Sequence, residues 1–173
     1  MSQSHEKYVL DANVFIQAKR RFYGLDFCPG YWQALIWHQR QGRLCSVDRV
    51  QAELKKGGDD LWNWAESQLG DAAFAKTSEA GVTETYAQML AWVMSQSQFA
   101  DAAKAEFQDV ADGWLAAYAK ANTSVVVTLE QYDPHTRNRV LLPNLCRAFD
   151  VPCITPFEML RRLPVRLEWD PPA

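Results

Sequence analysis

Four short runs constrain the fold of this 173-residue chain more than any other feature: Tyr8-Val9-Leu10, Leu44-Cys45-Ser46-Val47, Val125-Val126-Val127 and the segment Val151 to Ile154. They are mostly apolar, and they do not alternate with polar residues. A strand with one solvated face alternates, whereas a strand covered on both faces does not. Helical patterns fill the intervals. Val14 to Arg21 has helical composition, and Tyr31 to Gln41 puts Trp32, Leu35 and Ile36 on one face. Arg49 to Lys56 follows a possible cap at Asp48, and Asp59 or Asp60 can cap a helix running to Leu69. Further helices are predicted over Thr83 to Met94, Phe99 to Glu106, Asp109 to Ala121, Pro143 to Phe149 and Phe157 to Leu163. Val165 to Leu167 reads as an edge strand. Buried strands separated by helices predict an α/β fold, a three-layer α/β/α sandwich around a mostly parallel sheet of four to five strands. No repeat or linker divides the chain, so residues 1–173 are expected to form a single domain.

Composition excludes several classes. With 48% hydrophobic residues and 12% aromatics, the chain is neither disordered nor fibrous. No run approaches the ~20 apolar residues of a membrane span, and the N-terminal segment has no signal-peptide core. A cytoplasmic protein with no membrane association is therefore expected. Cys28, Cys45, Cys146 and Cys153 form no CxxC pair, and His5, His38 and His135 are scattered. Reduced thiols are the expectation, and neither a zinc site nor a Ser-His-Asp hydrolase has support. No GxGxxG or GxxxxGK[ST] pattern points to a nucleotide-binding protein.

The acidic residues fall in a pattern. Parallel α/β proteins place active sites at the carboxyl ends of their strands. Asp11 follows the first strand, and Glu53 lies in the helix after the second. Asp109 and Asp112 open the helix before the third strand, and Glu130 follows that strand. Oxygen ligands of this kind suit Mg²⁺ or Mn²⁺, and converging carboxylates repel one another without a cation. Each residue also has an ordinary reading. Asp11 or Asn13 can cap a helix, Asp109 and Asp112 can favour a helix N-terminus, and Glu53 and Glu130 can simply be solvated.

The segment Tyr8-Val9-Leu10-Asp11-Ala12-Asn13-Val14-Phe15-Ile16 resembles the opening of PIN-domain nucleases. The stretch from Arg20 to Trp32 resembles the DUF4411 group of PIN-like proteins, as do Pro143 to Phe149 and Cys153 to Leu160. These small prokaryotic proteins are often regarded as toxins of toxin-antitoxin pairs. The likeness runs from about Tyr8 to Leu163. It implies that Asp11, Glu53 and Asp112 occupy the family's acidic positions, with Asp109 as the substitute one turn away. The family's Thr-x-Asp element is Thr128-Leu129-Glu130 here, with glutamate in place of aspartate. Asp11, Asp112, Glu53 and Glu130 would then be both catalytic residues and ligands of one or two Mg²⁺ or Mn²⁺ ions, with Asn13, Thr128 and Asp109 orienting them. The implied activity is metal-dependent endoribonuclease hydrolysis of phosphodiesters.

Substrate must be held despite a net charge of -3, from 18 Lys and Arg against 21 Asp and Glu. Lys19, Arg20, Arg21, Lys55, Lys56, Arg137 and Arg139 follow the proposed acidic residues and are candidate phosphate-binding groups. Tyr23, Tyr31 and Tyr132 are stacking candidates, with packing the more ordinary role. The resemblance implies an RNA substrate and a cognate antitoxin. Seven tryptophans leave room for a homodimer interface. The alternative is a non-catalytic PIN-like module that binds RNA or protein.

Overall fold

The computed structural model describes residues 6–169; His5 and the residues before it lie outside that range. The sheet is parallel throughout and runs β3-β2-β1-β4-β5. Its strands are β1 (Tyr8–Leu10), β2 (Leu44–Val47), β3 (Phe74–Ala75), β4 (Val125–Val127) and β5 (Cys153–Ile154). β1 is central. Its Val9 pairs with Cys45 on one side and Val126 on the other. Every residue of β1 and β4 is buried, which explains the absence of alternation.

The helices are α1 (Ala12–Gln17), α2 (Pro29–Arg40), α3 (Asp48–Gly57), α4 (Asp60–Trp64), α5 (Ala80–Ser95), α6 (Asp101–Asp109), α7 (Asp112–Ala121), α8 (Leu142–Ala148) and α9 (Pro156–Arg162). α1 and α4 each run on into a π-helical turn, Ala18–Phe22 and Ala65–Leu69. The predicted sandwich is the one observed, with helices covering a parallel sheet. One apolar core joins the strands to Phe15, Tyr31, Met89, Leu115, Leu145 and Met159. Among the described residues, no helix is long and apolar enough to cross a membrane. The four cysteines are free thiols.

The order of the strands matters for function. The chain builds outward from β1 through β2 to β3, then returns to place β4 on the other side of β1. Right-handed crossovers then put the two sets of helices on opposite faces. A crevice opens where the direction reverses, outside the carboxyl ends of β1 and β4. Asp11 and Thr128 stand at those two ends.

Four local expectations need correction. The helix predicted from Asp109 starts at Asp112 instead, and Asp109 is the last residue of α6, because Val110 is extended (φ -100°, ψ 163°) and separates the two helices. Asp48 does not cap α3 but begins it. Its carboxylate accepts the Thr77 hydroxyl at 2.8 Å, which ties α3 to the chain after β3. Val165 to Leu167 is no strand: the Val165 N–H closes back on the Leu160 carbonyl at 2.9 Å. The two-residue β3 was not expected at all, being too short to show a period. Asp59, in contrast, does cap α4, through the N–H groups of Leu61 and Trp62.

Gly113 sets the start of α7 against its neighbours. A Cβ there would lie 2.6 Å from the Phe107 ring and 2.9 Å from the Tyr86 ring. The bare backbone lets α5 and α6 close on the turn that carries Asp112. Gly113→Ala overpacks this contact and is expected to lower stability by about 1–3 kcal/mol, read from denaturant melts. An unchanged midpoint would show that the rings shift without cost.

Candidate active site

The crevice is organised by one hydroxyl. Thr128, buried after β4, donates through Oγ1 to Asp11 Oδ2 at 2.7 Å. The same oxygen accepts from Asn13 Nδ2 at 3.0 Å and from the Glu130 N–H at 3.1 Å. Asn13 Oδ1 accepts the Leu129 N–H at 3.0 Å, so its carboxamide clamps α1 to the end of β4. Ser46 donates to the Leu10 carbonyl at 2.6 Å and steadies the end of β1 from the other neighbouring strand. Asp11 stands at the N-cap position of α1, yet its side chain makes no capping bond to the helix. The capping readings of Asp11 and Asn13 therefore give way to a shared network across two strand ends.

Asp11, Asp112 and Glu130 face this crevice, and Glu53 stands beside it. Asp11 and Asp112 are 6% and 7% exposed. Glu130 Oε2 accepts the Leu142 N–H at 2.8 Å, which joins the loop after β4 to the start of α8. Glu53 is more open, and its Oε1 accepts the Ala111 N–H at 3.3 Å. That donor is available because the chain breaks between α6 and α7. Asp109 does not take part. It ends α6 on the surface, so the substitute for Asp112 is excluded by geometry.

Burial dominates the electrostatics. It pushes Asp112 up to about 8, with the charges of Asp11 and Glu130 adding and Arg139 opposing. It also pushes Asp11 up to about 6, against the Thr128 hydrogen bond and with help from the charges of Glu130 and Glu53. Glu53 is raised by burial, against its bond from Ala111. Asp112 Oδ2 is buried and has no hydrogen-bond partner. An unpaired buried carboxylate oxygen is costly and seeks a cation or a proton.

Arg139 supplies part of that charge. Its Nη2 lies 2.8 Å from Glu130 Oε1 and 3.6 Å from Asp112 Oδ2, the second within ion-pair range but too long for a hydrogen bond. Expected as a phosphate-binding group, Arg139 instead spans two of the acids. Among the described residues, no three acidic, imidazole or thiol groups are drawn together as a formed cation site. The donor set nevertheless suits a hard divalent ion: all oxygen, converging, and with one oxygen unpartnered.

The other basic candidates separate. Lys19 is paired with Asp59 at 2.6 Å and also with Asp60. Lys19 and Arg20 line a small hollow of about 50 Å³ that Glu53 closes. Arg21, Lys55, Lys56 and Arg137 are exposed, with Lys55 lying 5.9 Å from the Trp62 ring centroid. Tyr23 and Tyr31 stack on each other at 4.3 Å, so packing claims them. The ionic role of Arg139 left no trace in the sequence, because the long loop between β4 and α8 conceals which way it turns.

Fold and site together define an α/β protein with a buried carboxylate crevice at the topological switch point of a parallel sheet. The chain matches the family described as "Domain of unknown function (DUF4411)" over residues 8–167, and it belongs to that family. None of the curated proteins matches it. Among solved structures it is similar to VapBC-1 from nontypeable Haemophilus influenzae. Identity is 16% and the TM-score 0.48, over 86% of this chain and 96% of that one.

The raised acids give a stability signature. A carboxyl group whose folded pKa lies above its unfolded value favours the fold while protonated and loses that contribution as pH rises through the folded value. Metal-free wild type is therefore expected to lose stability from about pH 4 to about pH 8 relative to Asp112→Asn. Thermal melts in chelator across that range should show the variant's advantage growing with pH. A gap that stays constant would contradict the burial of an ionising Asp112.

Proposed function

We propose that this chain is a metal-dependent ribonuclease of the PIN-like kind, acting as the toxin of a toxin-antitoxin pair. The observation that carries the reading is Asp112 Oδ2, buried beside Asp11 at the strand-switch crevice with no hydrogen bond and only the longer approach of Arg139. Asp11 and Asp112 would hold one or two Mg²⁺ or Mn²⁺ ions, with Glu53 and Glu130 completing the set. A bound divalent ion supplies Lewis-acid polarisation of a phosphodiester and a nucleophile at neutral pH.

The chain's own residues do the remaining work. Thr128 holds Asp11 in one rotamer through its hydroxyl, and Asn13 fixes Thr128 in turn. Glu130 is held by the Leu142 N–H, so its second oxygen faces Arg139. Arg139 balances the acids and is half exposed, which lets it turn toward a substrate phosphate when another cation takes over that charge. Arg20 borders the Glu53 side, where it can hold the incoming backbone, and Lys19 beside it is held by Asp59 and Asp60. An antitoxin would close this crevice, and a second copy of the chain is a further expected partner.

One observation favours a second reading. Arg139 already spans Asp112 and Glu130, as it would in a non-catalytic module that binds RNA or protein without turnover. Cleavage of single-stranded RNA with Mg²⁺, Mn²⁺ or chelator separates the two. The nuclease reading expects metal-dependent cleavage that falls by at least about 100-fold in Asp11→Asn, the scale of losing one group that stabilises transition-state charge. RNA binding without cleavage in any metal would favour the module. Because Asp11 and Asp112 must both be ionised to bind a cation, Mn²⁺ affinity measured calorimetrically is expected to rise from pH 6 to pH 8 with proton release.

A further inference from the structure

A groove of about 540 Å³ leads away from Glu130, along the carboxyl ends of β4 and β5. Gln131, Tyr132 and Arg147 line it, with Cys153 and Ile154 at the strand end and Thr155 and Glu158 at the start of α9. Its volume falls in the ~300–1,000 Å³ range of sites for small ligands, which suits a nucleotide better than a folded partner. Tyr132 stands at its mouth with 44% of its surface exposed. The Arg147 guanidinium carbon lies 4.5 Å from the Tyr132 ring centroid, and among the described residues Arg147 makes no ion pair.

Tyr132 is held in place rather than left to a mobile loop. Asn144, 9% exposed, accepts the Asp133 N–H at 3.1 Å and donates to the Asp133 carbonyl at 2.7 Å. The Glu130 carboxylate accepts the Leu142 N–H at the other end. The segment from Glu130 to Asp133 is therefore fastened to α8 on both sides of the tyrosine. Glu158, the acidic group in the groove besides Glu130, is held by Arg162 at 2.6 Å, which reduces its repulsion of an anion.

We propose that this groove is a nucleobase subsite. It takes the base of a nucleotide next to the phosphate at the acidic crevice, stacked on the Tyr132 face that Arg147 does not cover, with the guanidinium on the ring's other side. The inference rests on the nuclease reading for the position of that phosphate. Aromatic stacking beside a guanidinium accepts any base face, and an unpaired arginine can hold the adjoining phosphate. Gln131 offers a donor and an acceptor to a base edge.

The test is binding of short fluorescent single-stranded RNA to the full chain in chelator, where metal-dependent turnover is absent. Tyr132→Ala is expected to weaken binding about tenfold, as is Arg147→Gln, while Tyr132→Phe keeps near-wild-type affinity. Circular dichroism confirms that each variant is folded. In RNAs carrying one abasic position in turn, one position should cost wild type about as much as Tyr132→Ala. The same position should cost Tyr132→Ala almost nothing further. Additive losses, or no loss at any position, would overturn the subsite. Wild type that binds no RNA would also overturn it and leave the groove to a peptide partner. Cleavage by wild type with normal binding by Tyr132→Ala sinks the subsite and spares the nuclease reading. Coupled losses in a chain that never cleaves sink the nuclease reading and spare the subsite.

Discussion

The crevice depends on the burial of two like charges, Asp11 and Asp112, at the ends of elements that the sheet forces together. Neither carboxylate reaches enough solvent to be compensated by water alone. Such a pair has three ways to lower its cost: keep a proton, borrow a guanidinium, or take a divalent cation. The first is favoured by burial, and the second is present in the structure. Burial favours protonated Asp112, and Arg139 leans on Glu130 and Asp112. The third would satisfy more oxygens at once, including the unpartnered Oδ2 of Asp112. A fold that only needed stability would do better with apolar residues in these places.

The scaffold explains why these acids meet. β1 supplies Asp11, and β4, its parallel neighbour, supplies Thr128 and Glu130 from the same edge of the sheet. Gly113 lets α7 begin close against α5 and α6, which brings Asp112 over the crevice. The break at Val110 frees the Ala111 N–H to hold Glu53. Backbone geometry and side-chain chemistry thus act on the same few residues. A small hollow lies past Glu53 beside Lys19 and Arg20, and a groove runs past Glu130 toward Tyr132 and Arg147. Basic side chains therefore stand on each side of the acids. The overall charge of -3 conceals this sorting.

The parts of the fold legible in the sequence are those with strong local patterns. Mostly apolar, non-alternating runs revealed β1, β2 and β4, and the acid after the first run was Asp11. Glu53 and Glu130 were also legible as positions, one in the helix after the second strand and the other after the third, whereas the pattern left Asp109 and Asp112 open and only the family resemblance favoured Asp112. What stayed hidden was decided by geometry that no local pattern records. Val110 looks like one more apolar residue of a helix, yet its extended backbone moves Asp109 out of the site. Arg139 reads as a surface charge in a loop, yet it turns inward to the acids. Tyr132 is one aromatic among many until Asn144 fastens the loop around it.

The central claim is that the acidic crevice is built for a divalent cation that relieves Asp11 and Asp112. Crystals of wild type soaked in Mn²⁺, with anomalous data, test it most directly. The account predicts an anomalous peak contacting Asp11 and Asp112, directly or through water, with Arg139 withdrawn from Asp112. Saturating Mn²⁺ with no peak, and Arg139 still spanning Asp112 and Glu130, would contradict it.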